Sequence, residues 1–125
     1  MRLLLDTSTV LLALSEPERL SMASRNAIED PASIVLVSAA SIWEFAIKRA
    51  LGKLEAPESV VGAIRDAGFE TLDITPDHAE LAGGLPPHHR DPFDRILVAQ
   101  ALAEGCTLLT RDETLQDYDV EILRA

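Results

Sequence analysis

Three short runs of uninterrupted apolar residues constrain this chain more than any other feature. They are the leucines of RLLLD (residues 2–6), the segment IVLV (34–37) and the centre of TLLT (107–110). A strand with one face in water alternates apolar and polar residues, so a run without alternation reads as a strand buried on both faces. ETLDI (70–74) does alternate and reads as an edge or half-buried strand, and VEIL (120–123) supplies a fifth candidate. Helix-length segments lie between. Residues 7–15 end at Glu16-Pro17, residues 19–29 are amphipathic and stop at Asp30-Pro31, and residues 41–51 meet Gly52. Pro57 opens a helix ending near Gly68, residues 77–82 form a short one before Gly83-Gly84, and Pro92 opens the best-patterned helix, closed by Gly105. Strands alternating with such helices predict an α/β fold with a parallel sheet covered on both faces. No repeat or composition break interrupts residues 1–125, so one domain is expected, with LPPHHRDP as its one loop-like insert.

Apolar residues make up 47% of the chain and aromatics 4%, so the core must be built of Leu, Ile, Val and Ala. The single cysteine, Cys106, excludes an internal disulfide, suits a reducing compartment and is expected in the core. Asp6 interrupts the opening apolar run, and no stretch approaches the roughly 18 apolar residues that span a bilayer. No membrane segment and a cytoplasmic setting are therefore expected. The net charge of −10, from 21 acidic and 11 basic residues, counts against simple phosphate neutralisation of nucleic acid. It leaves a solvated acidic surface, a basic partner, or acids that converge and need cations.

Ligands of open parallel sheets bind outside the carboxyl ends of the strands. Asp6 ends the first strand, Glu44 lies one turn into the helix after the second, and Asp112 follows TLLT. Asp94 lies in the first turn of the helix leading into that strand, and its edge of the sheet stays open at this point. Each acid also fits a helix cap. Ser41-Ile-Trp-Glu44 suits a capping box, Asp91-Pro92-Phe93-Asp94 a helix start, Asp112 a cap for DETL, and Asp6 a cap for the helix at Thr7. Asp6 argues hardest for a site, because an unpaired carboxylate at the end of a buried strand is costly.

Asp6-Thr7-Ser8 after three leucines, Ser41-Ile-Trp-Glu44, Asp91-Pro92-Phe93-Asp94-Arg95 and Thr110-Arg111-Asp112 together resemble the PIN-domain family, in particular the toxin ribonucleases of VapBC-type toxin–antitoxin pairs. The resemblance runs from Leu3 to about Ile122, and HRDPFDRILVAQA (89–101) is its most specific part. It implies a three-layer α/β/α sandwich with strand order 3-2-1-4-5, and it implies that Asp94 reaches the carboxyl edge. It implies a metal-dependent endoribonuclease using Asp6, Glu44, Asp94 and Asp112 to hold one or two Mg²⁺ or Mn²⁺ ions, with Asp91 in capping and support and Thr7, Ser8 and Thr110 as supporting hydroxyls. Hard cations prefer such carboxylate oxygens, and the crowded acids should show raised pKa values without metal. The implied partners are RNA, a cognate antitoxin and a second copy of the chain.

Lys48, Arg49, Lys53 and Arg95 are candidate RNA contacts, with Arg90 and Arg111 behind them. Trp43 and Phe45 are read as core or dimer packing before base stacking, and Ile42, Phe45 and Ile47 as core before interface. His88 and His89, beside Pro86-Pro87, are read as loop and left out of the site. A dehalogenase-type phosphatase would need an acid two residues after Asp6, where Ser8 stands, and a receiver domain would need an adjacent acidic pair and a later lysine. A noncatalytic interaction module remains the competing class. There is no P-loop, glycine-rich dinucleotide turn or cysteine zinc site.

Overall fold

The computed structural model describes residues 1–54 and 59–125. Five strands form one parallel sheet: β1 (Arg2–Leu5), β2 (Ile34–Ser38), β3 (Glu70–Leu72), β4 (Thr107–Thr110) and β5 (Ile122–Arg124), ordered β3-β2-β1-β4-β5. The helices are α1 (Thr7–Ser15), α2 (Met22–Glu29), α3 (Ala39–Ala50), α4 (Val60–Asp66), α5 (Pro76–Gly84) and α6 (Pro92–Glu104). This is the expected three-layer α/β/α sandwich and strand order.

The apolar runs are central strands for the reason their pattern suggested. Leu4, Leu36 and Leu108 face one side and pack with Leu97, Val98, Ala101, Leu115 and Tyr118. Leu3, Leu5, Val35, Val37 and Leu109 face the other and pack with Val10, Phe45 and Ile64. Leu3, Leu4 and Leu5 are all fully buried, and each such side chain contributes roughly 1.5–3 kcal/mol of burial. Cys106 lies in the α6-side core, as expected.

Several boundaries differ from expectation, each for a local reason. β2 runs directly into α3, because Ser38 at the strand end caps the helix by accepting Ala40 N–H at 3.0 Å. Ser41 is therefore the third residue of α3, and the expected Ser41–Glu44 capping box does not form. β3 stops at Leu72 because Thr75 is taken as the N-cap of α5, in a capping box closed by His78. Residues 17–19 form a 3₁₀ turn, and Ser21 then caps α2. The expected helix start at Pro57 lies outside the described residues.

The end of α6 decides where the site is. Gly105 adopts φ +65° as the left-handed cap, and β4 begins two residues later. So short a link puts the end of α6 at the amino edge of the sheet. The helix has 13 residues, which at about 1.5 Å each span about 20 Å, so its first turn stands at the carboxyl edge. Asp94 thus arrives beside Asp6 and Asp112. Among the described residues, no helix is long and apolar enough to cross a membrane.

Candidate metal centre

A cleft of about 260 Å³ opens at the carboxyl edge, lined by Asp6, Thr7, Ser8, Glu44, Asp91, Asp94 and Asp112, with Leu11, Phe45, Lys48 and Leu54. All four acids singled out in the sequence line it, and so does Asp91.

Asp6 sits where β1 turns into α1, and its own N–H extends the ladder by donating to Leu109 O at 3.0 Å. Its side chain does cap α1: Oδ1 accepts from Thr9 N at 2.9 Å and from Ser8 Oγ at 3.3 Å. Oδ2 accepts from Thr110 Oγ1 at 2.5 Å, and Thr110 Oγ1 in turn accepts from Asp112 N at 3.0 Å. One hydroxyl thereby fixes Asp6 against the backbone of Asp112. Asp6 is only 6% exposed, so three donors hold a desolvated carboxylate.

Freed from a capping role, Glu44 is the sixth residue of α3 and leans toward the cleft. Thr7 Oγ1 donates to its Oε1 at 2.9 Å and lies 3.0 Å from the hydroxyl of the buried Ser41. Lys48, one turn on, pairs with Oε2 at 2.8 Å.

Asp91 caps α6 by accepting from Phe93 N at 2.9 Å, as expected. Asp94, in the first turn, is pushed up from 3.8 to about 6. Burial is the main cause and Asp91 adds to it; His89 opposes, while Asp6 and Asp112 raise it further. Asp112 behaves oppositely. It caps the 3₁₀ turn at 113–117, and Thr114 donates to its Oδ1 through both hydroxyl (2.6 Å) and N–H (3.0 Å). Those bonds, with help from His89, hold its carboxyl below the usual carboxylate range.

His89 is the residue that sequence reasoning missed. Its Nε2 lies 3.0 Å from Asp112 Oδ2 and 3.4 Å from Asp94 Oδ2. His89, Asp94 and Asp112 offer one ligand-type atom each, all within 4.8 Å of one another. The only sequence signal was its place two residues before Asp91, in a stretch that composition marked as loop.

The basic candidates divide. Lys48 lines the cleft. Arg49 lines a separate hollow with Ile42, Ala46 and Val60, and Lys53 is exposed just past α3. Arg95 is engaged within the fold: its guanidinium donates to the carbonyls of Ala82, Leu85, Pro86 and His89 and to Tyr118 Oη. It ties the 85–89 loop to α5 and α6, and phosphate would have to displace those bonds. Arg111 donates to the carbonyls of Arg19 and Ala125. Phe45 is buried, while Trp43 is 62% exposed and meets Phe93 edge-on at 5.3 Å.

The donor set fits a hard divalent cation. Five carboxylates line the cleft, and among the described residues lining it Lys48 is the one lysine or arginine. Burial first, and the neighbouring acids after it, raise Asp94, and a bound cation would favour its ionised form again. Asp6, Asp94 and Asp112 are the side chains that would hold it, with Glu44 beside them.

Comparison with known proteins agrees with this geometry. The family model described as PIN domain matches residues 3–121. The chain is 33% identical over 118 residues to ribonuclease VapC22 of Mycobacterium tuberculosis, covering 92% of this chain and 90% of that one. Among solved structures it resembles VapBC2 from Rickettsia felis bound to a promoter DNA fragment, with TM-score 0.71, 16% identity and 98% of each chain covered. It also resembles FitAcB from Neisseria gonorrhoeae, with TM-score 0.64, 20% identity and coverage of 98% and 96%. At these identities the two structures speak for the fold.

Proposed function

Because the chain belongs to the PIN-domain family, in its VapC-like branch, we propose that it is a Mg²⁺- or Mn²⁺-dependent endoribonuclease, the toxin of a toxin–antitoxin pair acting in the cytoplasm. The observation that carries this reading is the convergence of Asp6, Asp94 and Asp112 on one cleft, with Asp94 held near a pKa of about 6 by burial and by its acidic neighbours.

Asp6, Asp94 and Asp112 hold one or two ions, and Glu44 completes the set or orients the attacking water. When bound, the metal supplies Lewis acidity, activating water and compensating charge on the phosphate. The chain's own residues do the positioning. Thr110 fixes Asp6 relative to Asp112, and Thr7 fixes Glu44. Ser8 and Asp91 support Asp6 and the start of α6. Lys48, beside Glu44, is the cation best placed to meet an RNA phosphate, with Arg49 and Lys53 further out. Cleavage is expected to leave a 5′-phosphate and a 3′-hydroxyl. The antitoxin and a second copy of the chain are the proposed protein partners.

RNA cleavage with mapped ends tests this reading. Activity with Mg²⁺ or Mn²⁺ that is lost in EDTA and in Asp94→Asn supports it. Undiminished cleavage by Asp94→Asn at matched metal concentration overturns it.

A further inference from the structure

The geometry points to His89 as a positioning residue that holds Asp112 beside Asp94 for a divalent cation without binding that cation itself. The inference rests on the metal reading proposed above and assigns a role to a side chain outside the four acids.

The tautomer carries the argument. Asp91 N–H donates to His89 Nδ1 at 3.0 Å, so the Nδ1 lone pair is in use and the ring proton belongs on Nε2. That N–H donates to Asp112 Oδ2 at 3.0 Å, and Asp94 Oδ2 lies 3.4 Å from the same nitrogen. A cation on Nε2 would need a lone pair there. The proton would then move to Nδ1 and face the Asp91 N–H, losing a hydrogen bond and setting two donors against each other. Proximity alone would make His89, Asp94 and Asp112 a ligand triad, and the Asp91 hydrogen bond argues against that.

The ring is also anchored through its backbone. His89 N–H donates to Tyr118 Oη at 3.0 Å, and its carbonyl accepts from Arg95 Nη1 at 3.3 Å. Tyr118 is buried and its hydroxyl donates to Pro86 O at 2.9 Å. A histidine fixed at three points is suited to holding others in place. The two carboxylates need it, because Asp94 belongs to α6 and Asp112 follows β4. Among the described residues, His89 is the side chain that contacts both. Partners of this kind, one shell out from a metal, commonly carry about 10–100-fold in affinity.

The test is MnCl₂ binding by calorimetry on the wild-type chain and on His89→Ala, His89→Gln and Asp94→Asn, with MgCl₂ titration of ¹⁵N-histidine-labelled wild type by NMR. The expected results are Mn²⁺ binding weakened about tenfold or more in His89→Ala and largely restored in His89→Gln, whose amide N–H reaches a similar point. The His89 Nε2–H should persist at Mg²⁺ saturation. Wild-type affinity in His89→Ala overturns the proposal, as does loss of the Nε2 proton on Mg²⁺ binding, which would make His89 a ligand. If wild type and Asp94→Asn bind Mn²⁺ alike, or neither binds, the metal reading itself fails and takes this role with it. Should His89→Ala not fold, the His89→Gln affinity and the wild-type NMR decide the matter.

Discussion

Two histidines of this chain are held by the same local device and kept in different company. His78 accepts Thr75 N–H at Nδ1 and meets Glu104 through Nε2 at 2.9 Å. His89 accepts Asp91 N–H at Nδ1 and meets Asp112 and Asp94 through Nε2. His78 is 2% exposed and ties α5 to α6, one N–H to one carboxylate. Around His89 one N–H meets Asp112 with Asp94 3.4 Å from the same nitrogen, and three more acids line the adjoining cleft. The lesson concerns balance. Where one donor meets one carboxylate a buried polar contact is a fastener, and where five carboxylates face one lysine the fold has stored a demand for positive charge.

The largest effect should separate the two regions by activity. Asp94→Asn should cut metal-dependent RNA cleavage by more than the roughly 10–100-fold that outer partners cost, while Glu104→Gln leaves cleavage unchanged. Equal losses in steady-state assays would erase the distinction.

Stability should divide them the other way. His78→Ala strands Glu104 and the Thr75 N–H, at about 1–3 kcal/mol. Thermal melting should show a loss of roughly 5–15 °C, with Mn²⁺ affinity untouched. A weakened metal site in that variant would mean that the two clusters are coupled.

Asp94 gives a pH signature with a definite sign. Its folded value of about 6 lies above the ordinary 3.8, so the folded state favours the protonated form. Its contribution is fully present below pH 3.8 and is lost as pH rises through about 6. With 22% of the side chain in water, the ionised group costs on the order of 1–2 kcal/mol at pH 7. Metal-free Asp94→Asn should therefore melt roughly 3–8 °C above metal-free wild type at pH 7, and the gap should close near pH 4. Mg²⁺ should stabilise wild type far more than the variant. A gap that widens toward acid would show the sign to be wrong.

The smallest effect belongs to Lys48. Lys48→Ala should weaken RNA binding a few-fold and reduce the salt slope by about one, measured as affinity against salt concentration. An unchanged slope would leave Lys48 as a partner of Glu44 alone.

The sheet was legible because its central strands are buried on both faces, which leaves unbroken runs such as Leu3-Leu4-Leu5. Asp6 was legible for a related reason, an acid ending such a run. The position of Asp94 was available but unread: two residues between α6 and β4 already force the first turn of α6 to the carboxyl edge. The Ser41 cap misled because Ser38, at the end of a strand, could cap the helix earlier without any intervening turn. Arg95 and His89 were illegible. Their roles depend on a loop folding back onto Tyr118, 23 residues beyond Arg95, and local pattern carries no information about that contact.

The central claim is that the carboxyl-edge acids share one divalent cation. Anomalous diffraction from crystals grown with MnCl₂ tests it most directly. The expected peak lies about 2.1 Å from oxygens of Asp6, Asp94 and Asp112, with His89 Nε2 outside bonding distance. No peak in the cleft, in crystals where the cleft is open to solvent, would contradict the account.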